Sequence, residues 1–368
     1  MKVTAIYVYP IKALRPIRLD RARLTPQGVQ HDRRFMLCRV DDTDPRKLTK
    51  VQIDKVHQCG LFRQEIVGDS IHVSYLTPRD AVAPAHPVQN EVLEVPLSPD
   101  TSALDTVDID LHLSMVTAYR MGARYDDWFS ACFGFKAALA YIGDGRRPVL
   151  GSYAPQTQTT QTTQTDGSAQ RPGGWLLSTM SATVSRGGAA ETQPRLGSEG
   201  EDKPWLAFSD LAPFLVASDA SLANVRARVP SGDVAITAFR PNIVVDGHGG
   251  PAFDEDFWAE LSANGEPFLV LTKMCNRCSS LNVDYDTGKI AEGERGTVLK
   301  KLMSDRRVDA GARYSPVFGK YGFLSPARDG MFLSVGDQIT VTERVDQRPV
   351  FDWPLRARGA QPQFYQAA

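Results

Sequence analysis

The sequence predicts an α+β fold, mainly β, that is built on barrels and not on a doubly wound parallel sheet. Most apolar runs are short, are rich in β-branched and aromatic residues, and are separated by Pro, Gly and Asp. Only a few segments have apolar residues at helical spacing, and they do not alternate regularly with the strands. These observations favour antiparallel barrels or sandwiches with short helices.

The first half of the chain contains mainly predicted strands. They are the runs at residues 4–9, 34–40, 71–76 and 88–97. A helix is expected from Tyr125 to Phe133, because apolar residues recur there at spacings of three and four. Gly134 follows directly and is expected to end this helix.

The second half mixes strands with short helices. Strands are predicted at residues 243–245, 268–271, 281–284, 317–324 and 338–343. Three helices are also predicted. The first carries Leu222, Val225 and Val229 and is capped by Ser218 or Asp219, and the second carries Phe257, Trp258 and Leu261 and is capped by Asp254. The third carries Leu299, Leu302 and Met303.

The composition changes sharply between residues 151 and 204. Gln156 to Thr165 contains only Gln and Thr, and Ser, Gly and Pro are frequent in the residues that follow. Such a segment buries too little apolar surface to offset its ordering entropy, so we expect a disordered insertion. The predicted organisation is a first domain at 1–150, the insertion at 151–204, a second domain at 205–345 and a loose tail at 346–368.

Charge and hydropathy exclude some classes of partner. The chain has 42 Lys and Arg against 43 Asp and Glu, a net charge of −1, so no broad attraction to nucleic acid is expected. No apolar run is long enough for a membrane-spanning helix, and the first residues resemble a strand and not a signal peptide. A cytoplasmic location is therefore expected.

Cys275 and Cys278 form a C-x-x-C pair that allows several interpretations. A thioredoxin-type redox motif needs a helix that opens at the first cysteine, whereas a strand is predicted after this pair. A zinc site needs two more ligands, and the other three cysteines and six histidines are scattered singly. Two inert thiols, or one functional thiolate whose pKa is lowered by Arg277, are the remaining alternatives.

Several motifs occur in the order that is typical of one family. They are Tyr9-Pro10-Ile11-Lys12, Asp32-Arg33-Arg34-Phe35-Met36-Leu37, Ser218-Asp219-Ala220-Ser221-Leu222, Phe239-Arg240-Pro241-Asn242-Ile243-Val244-Val245, Arg277-Cys278 with Val283-Asp284 and Asp286-Thr287-Gly288, and Pro316-Val317-Phe318-Gly319-Lys320-Tyr321. Together they resemble the MOSC-domain family, and in particular its amidoxime-reducing members, which are molybdenum reductases. The resemblance extends from about residue 3 to residue 343, without the insertion.

The resemblance implies a fold, a cofactor and a set of site residues. The fold would be an N-terminal MOSC-type β-barrel domain joined to a MOSC β-barrel domain, with a molybdenum–molybdopterin cofactor in the cleft between them. Cys278 would be the metal ligand and catalytic residue. The residues implied to bind the cofactor are Lys12, Arg33, Arg240, Asn242, Asn276, Arg277 and Tyr321. Arginine suits an anionic phosphate because its planar guanidinium can bind two oxygens at once.

Two activities are compatible with this resemblance. The first is the reduction of N–O bonds in small N-hydroxylated substrates, with electrons from an external donor such as a b-type cytochrome and its flavin reductase. The second is the binding, carriage or sulfur handling of the cofactor without reductase turnover. A scaffold that has lost its metal is a third alternative. The chain departs from the family at Ala13, Leu211 and Ala212, where hydroxyl side chains are usual, so cofactor binding by those side chains is in doubt.

Overall fold

Antiparallel strand pairing dominates the structure, a computed structural model that describes residues 1–155, 203–229 and 233–354. Residues 1–155 and those from 204 onward belong to one compact unit. The Gln/Thr-rich run and the end of the predicted tail lie outside the described residues, so the expectations for them stay predictions.

The described residues before residue 156 form thirteen strands and one helix. They are β1 (Val3–Val8), β2 (Ile17–Leu19), β3 (Arg21–Thr25), β4 (Gly28–Val29), β5 (Phe35–Val40), β6 (Leu48–Lys50), β7 (Phe62–Val67), β8 (Ser70–Tyr75), β9 (Leu93–Pro96), β10 (Thr106–Leu111), β11 (Ser114–Arg120), α1 (Ala123–Phe133), β12 (Ala137–Tyr141) and β13 (Arg147–Pro148).

The described residues from 203 onward form ten strands and two helices. They are β14 (Trp205–Leu206), β15 (Phe214–Ser218), α2 (Asp219–Ala227), β16 (Ile243–Val245), β17 (Trp258–Ala263), β18 (Glu266–Asn276), β19 (Val283–Asp284), β20 (Lys289–Ile290), α3 (Val298–Met303), β21 (Val317–Leu324), β22 (Phe332–Ser334) and β23 (Ile339–Arg344). Within the described ranges the longest of these helices, α1, has 11 residues, and none is long and apolar enough to cross a membrane.

The largest sheet joins the two ends of the chain. Its eight strands lie in the order β2-β1-β16-β15-β21-β18-β17-β23. Strand β1 pairs antiparallel with β16, so that Val3 lies opposite Val245. Strands β15 and β16 pair in parallel, with Val216 opposite Ile243. The first strand of the chain therefore completes a sheet whose other members, apart from β2, follow the gap at residues 156–202.

A second sheet of five strands, in the order β10-β11-β12-β5-β6, is nearly closed because its edge strands β6 and β10 approach each other. Helix α1 packs Trp128, Phe129 and Phe133 around Phe62, with ring centroids 4.8–5.9 Å from that ring. Gly134 ends the helix in the left-handed region at φ 76°, as predicted. The α+β, mainly β architecture of barrel sheets is confirmed, whereas the domain boundaries stay a prediction.

The helix predicted after Asp254 is wrong. Asp254–Phe257 forms a single 3₁₀ turn, and Trp258 already begins strand β17 between β18 and β23. Trp258 and Leu261 would face opposite sides of a regular strand, yet both are buried. Irregularities in the pairing of β17 with β23 shift the register between Trp258 and Leu261. Because of this shift, the buried apolar residues of the strand have a spacing that is typical of a helix.

Candidate functional site

One cleft collects polar side chains from strands and from the segments between strands. Its cavity volume is about 110 Å³, which is smaller than that of a typical small-molecule site. All eight residues predicted for the site line this cleft: Lys12, Arg33, Arg240, Asn242, Asn276, Arg277, Cys278 and Tyr321. They come from five separate segments of the chain, so the fold brings together residues that are up to 309 positions apart in sequence.

Lys12 lies at the base of the cleft in an ion pair. Its Nζ donates to the carbonyl of Phe208 at 2.8 Å and to Oδ1 of Asp210 at 2.5 Å. Burial lowers the pKa of Lys12 to about 8, against the opposing effect of Asp210. Burial alone would raise the pKa of the Asp210 carboxyl, but Lys12 and His112 outweigh this effect and hold that pKa well below its usual value. Asp210 thus neutralises most of the charge that Lys12 brings to the cleft.

Asn242 connects other elements and has little capacity left for a ligand. Its Oδ1 accepts from the backbone N–H of Leu215 and from Arg33 Nη1, both at 3.2 Å. Its Nδ2 donates to the carbonyl of Tyr7 at 3.2 Å and to Asp32 Oδ2 at 3.1 Å. The amide of Asn242 therefore holds strands β1 and β15 and the turn before β5 in place.

Two guanidinium groups enclose the ring of Tyr9 beside the cleft. The guanidinium carbons of Arg33 and Arg240 lie 4.5 and 4.4 Å from the ring centroid. Arg33 also pairs with Asp32 and donates to the carbonyl of Arg240 at 3.4 Å. Arg240 has a left-handed backbone, at φ 57°, which aims its side chain across the ring.

Several buried polar atoms of the cleft residues have no hydrogen-bond partner among the residues that the structure describes. They are Nη1 and Nη2 of Arg240, Nε of Arg277, both amide atoms of Asn276, and Oγ of Ser209. Buried polar groups are usually hydrogen-bonded, so each of these atoms indicates a missing polar partner. Because three of the six are guanidinium nitrogens, which only donate, the partner that fits best carries negative charge.

The two cysteines of the C-x-x-C pair have different environments. Cys275 is buried within β18, where its thiol accepts from Arg277 Nη1 at 2.9 Å and donates to the hydroxyl of Tyr321 at 3.2 Å. Cys278 lies beyond the end of that strand, is exposed, and shares a hydrogen bond of 3.2 Å with Ser280 Oγ. The thioredoxin interpretation fails here, because Cys275 lies within a strand and no α-helix opens at it.

Arg277 acts on the pKa of the Cys278 thiol in the expected direction, but the net pKa is raised and not lowered. Although the residue is exposed to the cleft, the protein around its sulfur displaces part of the water and raises the pKa, and the carboxylate of Asp54 raises it further. Arg277 and Ser280 act in the opposite direction but are outweighed. The guanidinium of Arg277 has its close contact with Cys275 and not with Cys278, which explains the weak effect.

Sequence reasoning missed Arg147, a buried residue that supports one side of the cleft. Its fully buried guanidinium donates to five backbone carbonyls at 2.6–3.3 Å: those of Leu111, Ser114, Ala207, Ser209 and Asp210. It thereby fixes the segment 207–210 against the turn between β10 and β11. A buried arginine gives no periodic signal in sequence, so only the fold identifies it.

Other lining residues differ in how far the sequence could indicate them. Asp210 lies in the motif where hydroxyl side chains are absent, whereas the lining loop at residues 52–54 carries no recognisable pattern. Ala13 and Ala212 line the cleft and Leu211 packs behind it, so these three positions offer no hydroxyl donor to the cleft. In the part of the chain that the structure describes, no three His, Cys, Asp or Glu side chains are grouped to hold a metal ion.

The fold and the cleft define a class of protein: joined β-barrel sheets with a cleft that is lined by basic and amide side chains beside one exposed cysteine. Family models match in both parts of the chain, the MOSC N-terminal beta barrel domain over residues 1–136 and the MOSC domain over residues 203–340. The chain belongs to the MOSC-domain family.

Curated relatives of two kinds are similar to this chain. Mitochondrial amidoxime-reducing component 1 of Homo sapiens is 40% identical over 141 residues, which are 37% of this chain and 39% of that protein. Mitochondrial amidoxime reducing component 2 of Bos taurus is 40% identical over 139 residues, 36% of this chain and 38% of that protein. Molybdenum cofactor sulfurase of Solanum lycopersicum is 23% identical over 349 residues, 92% of this chain and 35% of that protein. The matched part of the chain thus spans less than two fifths of the length of each relative.

Proposed function

We propose that this chain binds a molybdenum–molybdopterin cofactor in the cleft, with Cys278 as the thiolate ligand, and reduces the N–O bond of small N-hydroxylated substrates. The observation that carries the proposal is the set of unpartnered guanidinium and amide atoms of Arg240, Arg277 and Asn276 beside the one exposed thiol of the C-x-x-C pair. The names of the amidoxime-reducing relatives support the reaction class.

The residues present fit such a cofactor. The phosphate of molybdopterin is an anion, and the free nitrogens of Arg240 and Arg277 are donors that lack a partner. The amide of Asn276 offers both a donor and an acceptor, as a pterin ring requires. A thiolate is a soft ligand that suits molybdenum held by sulfur.

The cleft residues would divide into two roles. Arg240, Arg277 and Asn276 would contact the cofactor directly, with Lys12 and Ser209 at its base. Arg33, Asn242 and Tyr321 would act mainly by holding these groups in place, because they are already bonded to protein. Cys275 would also have this second role, because its thiol is already hydrogen-bonded to Arg277 and Tyr321.

When bound, molybdenum supplies the two-electron redox chemistry. Reduction of an N-hydroxylated substrate takes up two electrons and two protons, breaks the N–O bond, and releases the reduced nitrogen compound and water. The electrons would come from a separate protein, such as a b-type cytochrome with its flavin reductase. The protein must deprotonate Cys278 for ligation, and its raised thiol pKa means that metal binding releases a proton at neutral pH.

Metal analysis tests the proposal. The protein is purified from a host that makes the cofactor, and molybdenum and pterin are measured per chain for wild type, Cys278→Ser and the matched control Cys275→Ser. We expect about one equivalent in wild type, at least a tenfold loss of molybdenum in Cys278→Ser, and little change in Cys275→Ser. Sub-stoichiometric molybdenum in wild type and Cys278→Ser alike would refute the proposal.

A carrier or sulfur-handling protein is the second candidate function. One observation favours it: the molybdenum cofactor sulfurase relative aligns with 92% of the chain. Holoprotein that contains molybdenum but does not turn over a hydroxylamine or amidoxime with an artificial reductant would favour this candidate. A cytoplasmic location stays a prediction, which fractionation of the producing cell would test.

A further inference from the structure

Residues 345–354, here called the C-terminal strap, run beyond the last strand and beyond the matched MOSC domain. Side-chain and backbone bonds attach the strap to four parts of the fold. The bonds are Arg348 Nε to Asp256 at 2.8 Å, Phe351 N–H to Asp309 at 2.9 Å, Ser152 N–H and Oγ to Asp352 at 2.9 and 2.6 Å, and Trp353 Nε1 to the carbonyl of His112 at 2.7 Å. This part of the predicted loose tail is therefore docked.

Trp353 is the buried anchor of the strap, with 3% of its surface exposed. Its ring meets the ring of Tyr153 edge-on at 5.2 Å, and Tyr153 lies 6.1 Å from the ring of Tyr321. The hydroxyl of Tyr321 in turn accepts a hydrogen bond from the Cys275 thiol, and that thiol accepts a hydrogen bond from Arg277. A continuous line of contacts thus runs from the strap to a guanidinium in the cleft.

The hydrophobic cluster around Trp353 also forms one wall of the cleft. Four of its buried members line the cleft and are here called the apolar wall: Ala212, Leu215, Cys275 and Tyr321. Leu211 packs against the same cluster. Leu211 and Ala212 therefore both contribute apolar side chains to the cluster that contains Trp353.

We infer that Trp353 is a positioning residue for the cofactor site. Because it packs in the same cluster as the apolar wall, it holds the segment that carries Asp210 and the strand that carries Cys275, from which Arg277 follows directly. This inference rests on the proposed function for the identity of the ligand, but the positioning of the wall is measurable without any ligand.

Hydrogen exchange on cofactor-free protein, together with molybdenum content of the holoprotein, tests the inference. The variants are Trp353→Ala, Trp353→Phe and the control Val350→Ala, whose side chain lies on the same strap but is 48% exposed. In Trp353→Ala we expect exchange of amides in segments 206–215 and 274–277 to rise about tenfold, and molybdenum per chain to fall at least about fivefold. Exchange in the separate β7–β8–β9 sheet should not change.

The conservative variant separates the ring from its hydrogen bond. Trp353→Phe keeps an aromatic ring in the cluster, so it should restore protection of segments 206–215 and 274–277 and restore the molybdenum content. It cannot donate to His112, so the turn at residues 111–114 should still exchange faster. Val350→Ala should match wild type within about twofold at every site.

Two results would overturn the inference: unchanged exchange at the apolar wall in Trp353→Ala, or an equal rise in the β7–β8–β9 sheet, which would mean general destabilisation. Absence of molybdenum from wild type would refute the proposed function alone, because the exchange experiment would still decide the role of Trp353. The two failures are therefore distinguishable.

Discussion

Cys275 and Cys278 are three positions apart at the end of one strand, yet only the thiol of Cys278 is open to a ligand. Cys275 is 3% exposed and is held by Arg277 and Tyr321, whereas Cys278 is exposed and contacts only the hydroxyl of Ser280. The strand ends at Asn276, so the chain turns between the two cysteines and sends their side chains into different surroundings.

Alkylation should therefore select one cysteine of five. Cys38, Cys59, Cys132 and Cys275 are buried, so brief treatment of the folded cofactor-free protein with N-ethylmaleimide should add about one equivalent, at Cys278. Because the pKa of this thiol is raised, its labelling rate should still increase with pH where a free cysteine has levelled off. Peptide mass spectrometry locates the adduct; fast labelling that persists in Cys278→Ser would contradict the assignment.

Removal of the Asn242 amide should destabilise the fold without touching the apolar core. Asn242→Ala leaves the buried N–H of Leu215 and the carbonyl of Tyr7 without their side-chain partner. We expect the free energy of unfolding to fall by about 3 kcal/mol, measured by urea denaturation. Asn224→Ala is the control: Asn224 is exposed on α2, and its loss should change stability by about 0.5 kcal/mol or less.

The guanidinium of Arg147 should not be replaceable by an ammonium group. Lysine has three donors and cannot reach all five carbonyls that Arg147 binds, so Arg147→Lys should lower the free energy of unfolding by about 3 kcal/mol. Segment 207–210 should become more susceptible to protease. The neighbouring Arg146 is exposed, and Arg146→Lys should behave like wild type in both assays. Equal behaviour of the two variants would argue against the structural role of Arg147.

Glu255 should give the stability of the protein a pH dependence of known sign. This carboxyl is fully buried beneath the start of α2, where Oε2 accepts from Ser218 and Ser221, and burial raises its pKa from 4.5 to about 7. Between these pH values the folded state keeps a proton that the unfolded chain has lost. The contribution of Glu255 to stability is therefore fully present below pH 4.5 and is lost as pH rises to 7.

Glu255→Gln tests this pH dependence, since the amide stays neutral at every pH. Relative to wild type, the free energy of unfolding of Glu255→Gln should increase by about 3 kcal/mol between the two ends of that window. The exposed control, Glu292→Gln, should show a constant difference from wild type. A constant difference for Glu255→Gln as well would show that the folded carboxyl titrates normally.

The parts of the fold that follow a local rule could be predicted from sequence. Helix α1 has its stripe and its terminal Gly134, and α2 has Ser218 as its cap, which accepts from the backbone N–H of Ser221 at 3.1 Å. The segment after Asp254 could not be predicted in this way, because a register shift between distant strands decides which side chains are buried there. The docking of Trp353 could not be predicted either, since its partners lie 200 or more residues earlier in the chain.

For the site, motifs could predict which residues meet but not how each is used. All eight predicted residues line one cleft, although Tyr321 lies in the middle of β21 and the other seven lie at or beyond strand ends. The sequence could not show that Asn242 is fully bonded while Asn276 has no partner, because that depends on geometry across four elements. It also could not show which cysteine Arg277 would contact.

The pairing of β1 with β16 also constrains the order in which the molecule can be made. Val3 leaves the ribosome about 240 residues before its partner Val245, so the first strand must wait with an unpaired apolar edge while the intervening chain is synthesised. At ordinary translation rates that wait lasts roughly 10 to 50 seconds. The nascent N-terminal half therefore cannot complete this sheet alone, and the edge of β1 that faces β16 stays unpaired until the second half has been made.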